Sequence, residues 1–155
     1  LIKKGNDLTI VSMSYMTVGA LIAQKYLEKL GISLDIIDLR TVKPIDFSCI
    51  VNSLKVTKRI LVLDTGVSTC SIASEIVSYI AINYSNLLDR PPSKITMPDV
   101  PEPTSFGLTK DFYPRASQIF KKVCQMLNIE GSKLIDEMPE ISPHDVPGEW
   151  FKGPF

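Results

Sequence analysis

Few side chains in this sequence are of types that do chemistry, and fewer are spaced to do it together. Arg40 stands in the stretch DLRTVKPID (residues 38–46), where an apolar run ends in a guanidinium, then a Pro, then an acid. A guanidinium at such a place finds a carboxylate or a row of carbonyls, within the domain or across an interface. Asp46 is placed to cap the orphan amides of a helix start, with Pro44 holding Lys43 away from helical geometry. Glu75 carries charge on a segment otherwise built for burial, which makes it, with Arg40, a candidate for a structural or subunit contact. His144 is the single histidine. It has no Ser or Cys nucleophile motif near it and reads as a solvated or packing residue. The three cysteines, Cys49, Cys70 and Cys124, lack metal-ligand or redox spacing and read as reduced thiols. Cys70, close to a helix start, reads as a small buried residue rather than a reactive one. No catalytic constellation, metal-ligand cluster or Gly-rich phosphate cradle emerges.

The elements that must position these residues alternate. LTIVSM (residues 8–13) is rich in β-branched residues and reads as a strand. Ala23, Tyr26, Leu27 and Leu30 fall on one helical face, and Gly31 supplies the stop. SLDIIDL (33–39) is a second strand. Phe47, Ile50, Val51 and Leu54 repeat at helical spacing behind Asp46. RILVLD (59–64) is a continuous apolar run, as expected of a strand covered on both faces. Ile72, Ile76, Ile80 and Tyr84 mark a long helix, SKITM (93–97) a short strand, and Pro114 opens a last helix carrying Ala116, Ile119, Phe120, Val123 and Leu127. Strands alternating with helices predict an α/β domain with a largely parallel sheet covered by helices.

Composition narrows the function classes. The 155 residues suffice for one domain with a real core. Lys+Arg and Asp+Glu both number 17, which gives no support to a nucleic-acid partner, since that would want a basic face. No apolar run has membrane-spanning length, and no cationic-then-apolar leader opens the chain. It begins at Leu1 rather than Met, which reads as a piece cut from a longer protein. Residues 130–155 break the rhythm, rich in Pro and Gly, and read as an extended tail that packs on a partner or is disordered. Trp150 and Phe151 in that tail are the aromatic type that anchors interfaces.

Taken in order, GNDLTIVS, GISLDIIDLRTVKPID, TKRILVLD, LDRPPSKIT and PDVPEPTS resemble the carboxy-terminal domain of transketolase-like thiamine diphosphate enzymes. More closely they resemble the beta subunit of 2-oxoacid dehydrogenase decarboxylating components of the pyruvate and branched-chain type, over residues 5 to 129. DLR favours that beta chain over the sugar transketolases. The resemblance implies a three-layer α/β/α sandwich on a mostly parallel, five-stranded mixed sheet, with the fifth strand around residues 13–15 or 99–103. Its domain would span 1–129, with 130–155 as tail. It implies thiamine diphosphate and magnesium in the parent enzyme, neither bound by this domain alone. The implied partners are an alpha subunit or N-terminal domains, a second beta subunit and a lipoyl acyltransferase core, in the cytoplasm or, in a eukaryote, the mitochondrial matrix. In that family the Asp of an LDxP turn meets the acyltransferase, which carries the docking role to Asp89 in LLDRPP. A transketolase-type sugar enzyme and a stand-alone α/β interaction module without catalysis are the alternatives. One departure lies in DTGVSTCSIASEI, where Thr69, Cys70 and Ser71 occupy the place of a Gly pair, so the helix start must pack differently.

Overall fold

The structure, a computed structural model, describes residues 1–138, 144 and 146. Strands β1 (Leu8–Ser12), β2 (Leu34–Asp38), β3 (Ile60–Val67) and β4 (Ser93–Met97) form one sheet in the order β2-β1-β3-β4, every neighbouring pair parallel. Parallel neighbours need crossovers, and the helices α1 (Tyr15–Leu27), α2 (Phe47–Thr57) and α3 (Ile72–Asn83) supply them. A fourth, α4 (Ala116–Leu127), follows β4.

Side-chain alternation along the strands sorts the core into two layers. Leu8, Ile10, Leu34, Ile36, Leu61 and Leu63 face α1 and α4, which contribute Ala20, Leu27, Ile119 and Phe120. Val11, Ile37, Ile60 and Val62 face α2 and α3, which contribute Ile50, Leu54, Ile76 and Ile80. Each fully buried aliphatic side chain contributes about 1.5–3 kcal/mol relative to exposure. The result is the expected α/β/α sandwich. The caps are local. Gly31 ends the turn after α1 with φ 74, and the Asp46 carboxylate accepts from the Cys49 amide at 3.0 Å to open α2. Helix α4 begins two residues after Pro114, where the Arg115 amide donates to the Gln118 side chain at 3.0 Å. No helix among the described residues is long and apolar enough to cross a membrane.

Among the described residues the sheet has four strands, not five. Residues 13–15 turn into α1, and residues 99–103 are irregular. The antiparallel element is a single bridge between Lys3 and Ile36 on the outer edge of β2, with Ile2 N to Ile36 O and Ile36 N to Lys3 O both 2.8 Å. It stops after one pair because Gly5 must pass flat against β2. A Cβ there would lie 2.4 Å from the Leu34 carbonyl carbon. The chain then turns at Asp7, whose carboxylate accepts from the Ser33 amide at 2.7 Å.

Composition reads residues 130–138 as extended, yet they fold back. Ser132–Ile135 form a helical turn, α5, and Leu134, Ile135 and Met138 pack on the α1/α4 layer. Gly131 passes against the Cys124 sulfur and the Phe120 ring, and Lys29 pairs with Glu137 at 2.7 Å. These three apolar side chains complete a core face that α1 and α4 alone leave open.

Gly5→Ala forces the first residues off the β2 edge and is expected to cost about 2 kcal/mol or more. Gly107→Ala, with open space around it, is the control. Urea unfolding of both variants measures the difference, and an unchanged midpoint for Gly5→Ala contradicts the edge packing.

Candidate functional site

In an open parallel sheet, the strand order reverses at one point, and the crevice outside the carboxyl ends of the two strands there is where such folds seat ligands. Here that point lies between β1 and β3. Its residues are Ser12 on β1 and Asp64 on β3, both buried. Asp64 turns back into the chain, its two oxygens accepting from the Gly66 and Ala73 amides, each at 2.9 Å. Ser71 caps the same helix, accepting from the Ser74 amide at 3.1 Å. The positive end of α3 is therefore filled by the chain's own carboxylate and hydroxyl.

On the other side of the crevice a polar string runs outward. The Ser12 and Thr17 hydroxyls are 2.9 Å apart, and Thr17 donates to Asp38 Oδ1 at 3.0 Å. Arg40 Nε meets Asp38 Oδ2 at 2.6 Å, joining a side chain that is 83% exposed to one that is 11% exposed. An exposed pair of this kind adds little to stability, so the Arg40 charge remains available to a second surface. Of the partners open to Arg40, a carboxylate or carbonyls within the domain or across an interface, the described residues supply the Asp38 carboxylate, two residues back on its own strand end.

The other predicted residues separate into two places. Asp46 and Glu75, on the first turns of α2 and α3, share the carboxyl rim with Arg40, and Glu75 is exposed there. Asp89 lies before β4, on the amino edge across the sheet. It is exposed but not alone, pairing with Arg59 Nη2 at 3.3 Å, while Arg59 Nη1 also donates to the Asp7 carbonyl at 3.2 Å. Arg90 turns away to the Asn128 side chain at 3.3 Å. Trp150 and Phe151 lie outside the described residues. His144 Nε2 is 2.7 Å from the Phe106 carbonyl and 3.1 Å from the Thr109 hydroxyl, with its ring 4.0 Å from that of Phe106. Cys70 is exposed rather than buried, because the turn before α3 holds it at φ 56 and projects it outward. Cys124 is buried, and burial pushes its thiol up from the usual value, with Glu130 adding to the effect.

Sequence reasoning passed over the apolar part of this rim. Val42 after β2, Val67 at the end of β3, Val100 after β4, and Phe106 and Leu108 in the next loop are all large, apolar and exposed. Two polar atoms nearby are buried without a partner among the described residues, Tyr15 Oη at the start of α1 and Arg115 Nη2 before α4. Burial raises the Tyr15 phenol, and the Arg115 charge offsets part of that rise. Orphaned buried groups cost about 1–3 kcal/mol each. The signal available in sequence was apolar residues in loops that directly follow strand ends. Among the described residues no three His, Cys, Asp or Glu side chains are grouped to hold a metal ion.

Comparison with known proteins gives a consistent neighbourhood. The family model of the transketolase C-terminal domain matches residues 1–119. The chain is 32% identical over 125 residues to the acetoin:2,6-dichlorophenolindophenol oxidoreductase subunit beta of Bacillus subtilis, covering 81% of this chain and 36% of that protein. It is 34% identical over 128 residues to the mitochondrial pyruvate dehydrogenase E1 component subunit beta of Chaetomium thermophilum, covering 82% and 34%. Among solved structures, a split gene transketolase described as an inactive beta4 tetramer aligns with a TM-score of 0.70 at 26% identity, covering 82% of this chain and 41% of that one. The chain thus spans about a third of the length of these curated relatives.

The Asp46 carboxyl is held below its ordinary value of 3.8, first by the Ser48 hydroxyl and then by the Cys49 amide. A lowered folded value means that its contribution is full above the ordinary value and is lost as pH falls through the lower folded one. Asp46→Ala should therefore lower Tm by roughly 2–4 °C at neutral pH, with the gap to the parent chain closing in strong acid. Thermal unfolding across pH measures it, and a gap that widens with acid contradicts the capping role.

Proposed function

The chain belongs to the transketolase C-terminal domain family, and from that premise we propose that it is the assembly and docking domain of the beta subunit of a thiamine diphosphate-dependent 2-oxoacid dehydrogenase. The parent enzyme decarboxylates a 2-oxoacid and transfers the acyl group to a lipoyl domain. The observation that carries the reading is the carboxyl rim, where Val42, Val67, Val100, Phe106 and Leu108 stand exposed beside Arg40 and Glu75. Exposed apolar residues of this size, set among charges, mark surfaces that meet protein. Beta-subunit relatives at 32% and 34% identity support the choice of parent.

The described residues at the α3 side of the crevice do not by themselves fit thiamine diphosphate. A helix start holds a diphosphate through free amides, and at α3 the Ala73 amide is already taken by the Asp64 carboxylate, which would repel it. The cofactor and its magnesium therefore belong to other parts of the parent, and the work of this domain is to hold those parts together. The rim would face the alpha subunit, N-terminal domains or second beta chain. Asp89, on the opposite edge, would face the acyltransferase, with Arg59 orienting its carboxylate. The solved transketolase at a TM-score of 0.70 favours a second reading, a domain of a sugar-transferring enzyme. Both readings use the same rim for assembly and differ only at Asp89.

Phe106→Glu combined with Leu108→Glu should weaken subunit association in the parent enzyme by roughly tenfold or more, with Tm of the chain unchanged. Sedimentation equilibrium reads the outcome, and an unaltered association state contradicts the rim assignment. Asp89→Ala should weaken acyltransferase binding about two- to fivefold at low salt and less at high salt. A binding titration at both salts measures this, and equal affinities at low salt would remove Asp89 from the docking surface.

A further inference from the structure

Among the described residues, the sheet closes one of its edges and leaves the other open. β2 is covered by the Lys3 bridge, whereas β4 pairs with β3 alone, and no described loop hydrogen-bonds to its outer backbone. All five residues of β4 are only half-buried. Beside that open edge a groove of about 330 Å³ runs between β4 and α4. Ile95, Pro98 and Phe112 give it an apolar floor, and Lys121 and Lys122 line its helical wall. Neither lysine forms an ion pair among the described residues, and Asp111 is the one acid in the lining.

An open strand edge is a template for another strand, and charged side chains beside it choose which strand is admitted. A second copy pairing through β4 would set α4 against α4 and crowd the Lys121 and Lys122 charges of both copies, which disfavours it. The same charges attract an acidic chain. We propose that the β4 edge is a docking site for an extended acidic segment of a partner protein, added to the sheet as a fifth strand. Its backbone pairs with β4, and the side chains on the face turned to α4 are carboxylates that meet Lys121 and Lys122 and apolar groups that cover Ile95 and Phe112. The site is independent of the carboxyl rim and of the Asp89 edge, and it holds whichever parent enzyme is correct.

The test titrates the 155-residue chain with a blocked peptide of about eight residues that repeats Val-Thr-Glu-Thr, so that Val and Glu share one face. Two control peptides replace Glu by Lys, or Val by Pro, which cannot pair as a strand. The acidic peptide should bind at low salt and slow amide exchange in Ser93–Met97. Both controls should bind roughly tenfold more weakly or not at all, and Lys121→Glu with Lys122→Glu should lose a similar factor with Tm unchanged. Equal binding by the Pro peptide, an unaffected double variant or no binding of the acidic peptide would each overturn the proposal. Self-association that the double variant leaves intact, with β4 amides protected in the dimer, would assign the edge to a second copy and overturn it as well.

Discussion

A buried carboxylate in the second strand holds this domain together. Asp35 on β2 is only 5% exposed, and its two oxygens are satisfied by parts of the chain far apart in sequence. Oδ1 accepts from the Gly5 amide at 2.9 Å, and Oδ2 accepts from the Ser53 hydroxyl on α2. Ser53 is in turn 2.6 Å from the Thr9 hydroxyl on β1, which is 2.6 Å from that of Thr57, one turn further along α2. The network ties the first residues, two strands and a helix, and loss of any single donor leaves a buried acceptor unmet at about 1–3 kcal/mol. α2 cannot rotate or slide without breaking it. With α2 fixed, the loop that carries Arg40 and Asp46 to the rim has both ends fixed as well.

Much of this fold is legible in the sequence where a single periodicity decides. The strands around Ile10, Ile36 and Val62, the Asp46 cap and the Gly31 stop follow from patterns a few residues long. What escapes sequence reading is set by long-range contact. Ser53 and Thr57 on α2 carry no local signal of burial, which comes only from Thr9 and Asp35 opposite them. The bridge at Lys3 escapes because a single pair has no alternation to detect, and only the close approach of Gly5 to Leu34 reveals it. The turn back at Gly131 is hidden for a similar reason. Short, charge-rich sequence gives α5 no helical signal, yet Leu134 and Ile135 find an unfilled face between α1 and α4.

At the candidate site the same division holds. Arg40 is conspicuous from its position at a strand end, and its partner Asp38 lies two residues away. Asp64 is less visible, because a carboxylate that closes a strand looks identical whether it awaits a ligand or caps the following helix. Only its contacts with Gly66 and Ala73 distinguish the two. That distinction matters for function. On the function proposed above, a parallel sheet with a filled crevice and an apolar rim holds other domains in place. The amino edge, with Asp89 and Arg59, is left as a separate charged surface on the far side.

The central claim is that the carboxyl rim is buried in the assembled parent enzyme and the amino edge is not. Amide hydrogen exchange, compared between the isolated chain and the parent assembly, tests it most directly. The account predicts strong added protection in residues 40–46, 66–72 and 98–110 on assembly, with residues 58–59 and 88–90 unchanged until the acyltransferase is added. Equal exchange of the rim segments in the two states would contradict it.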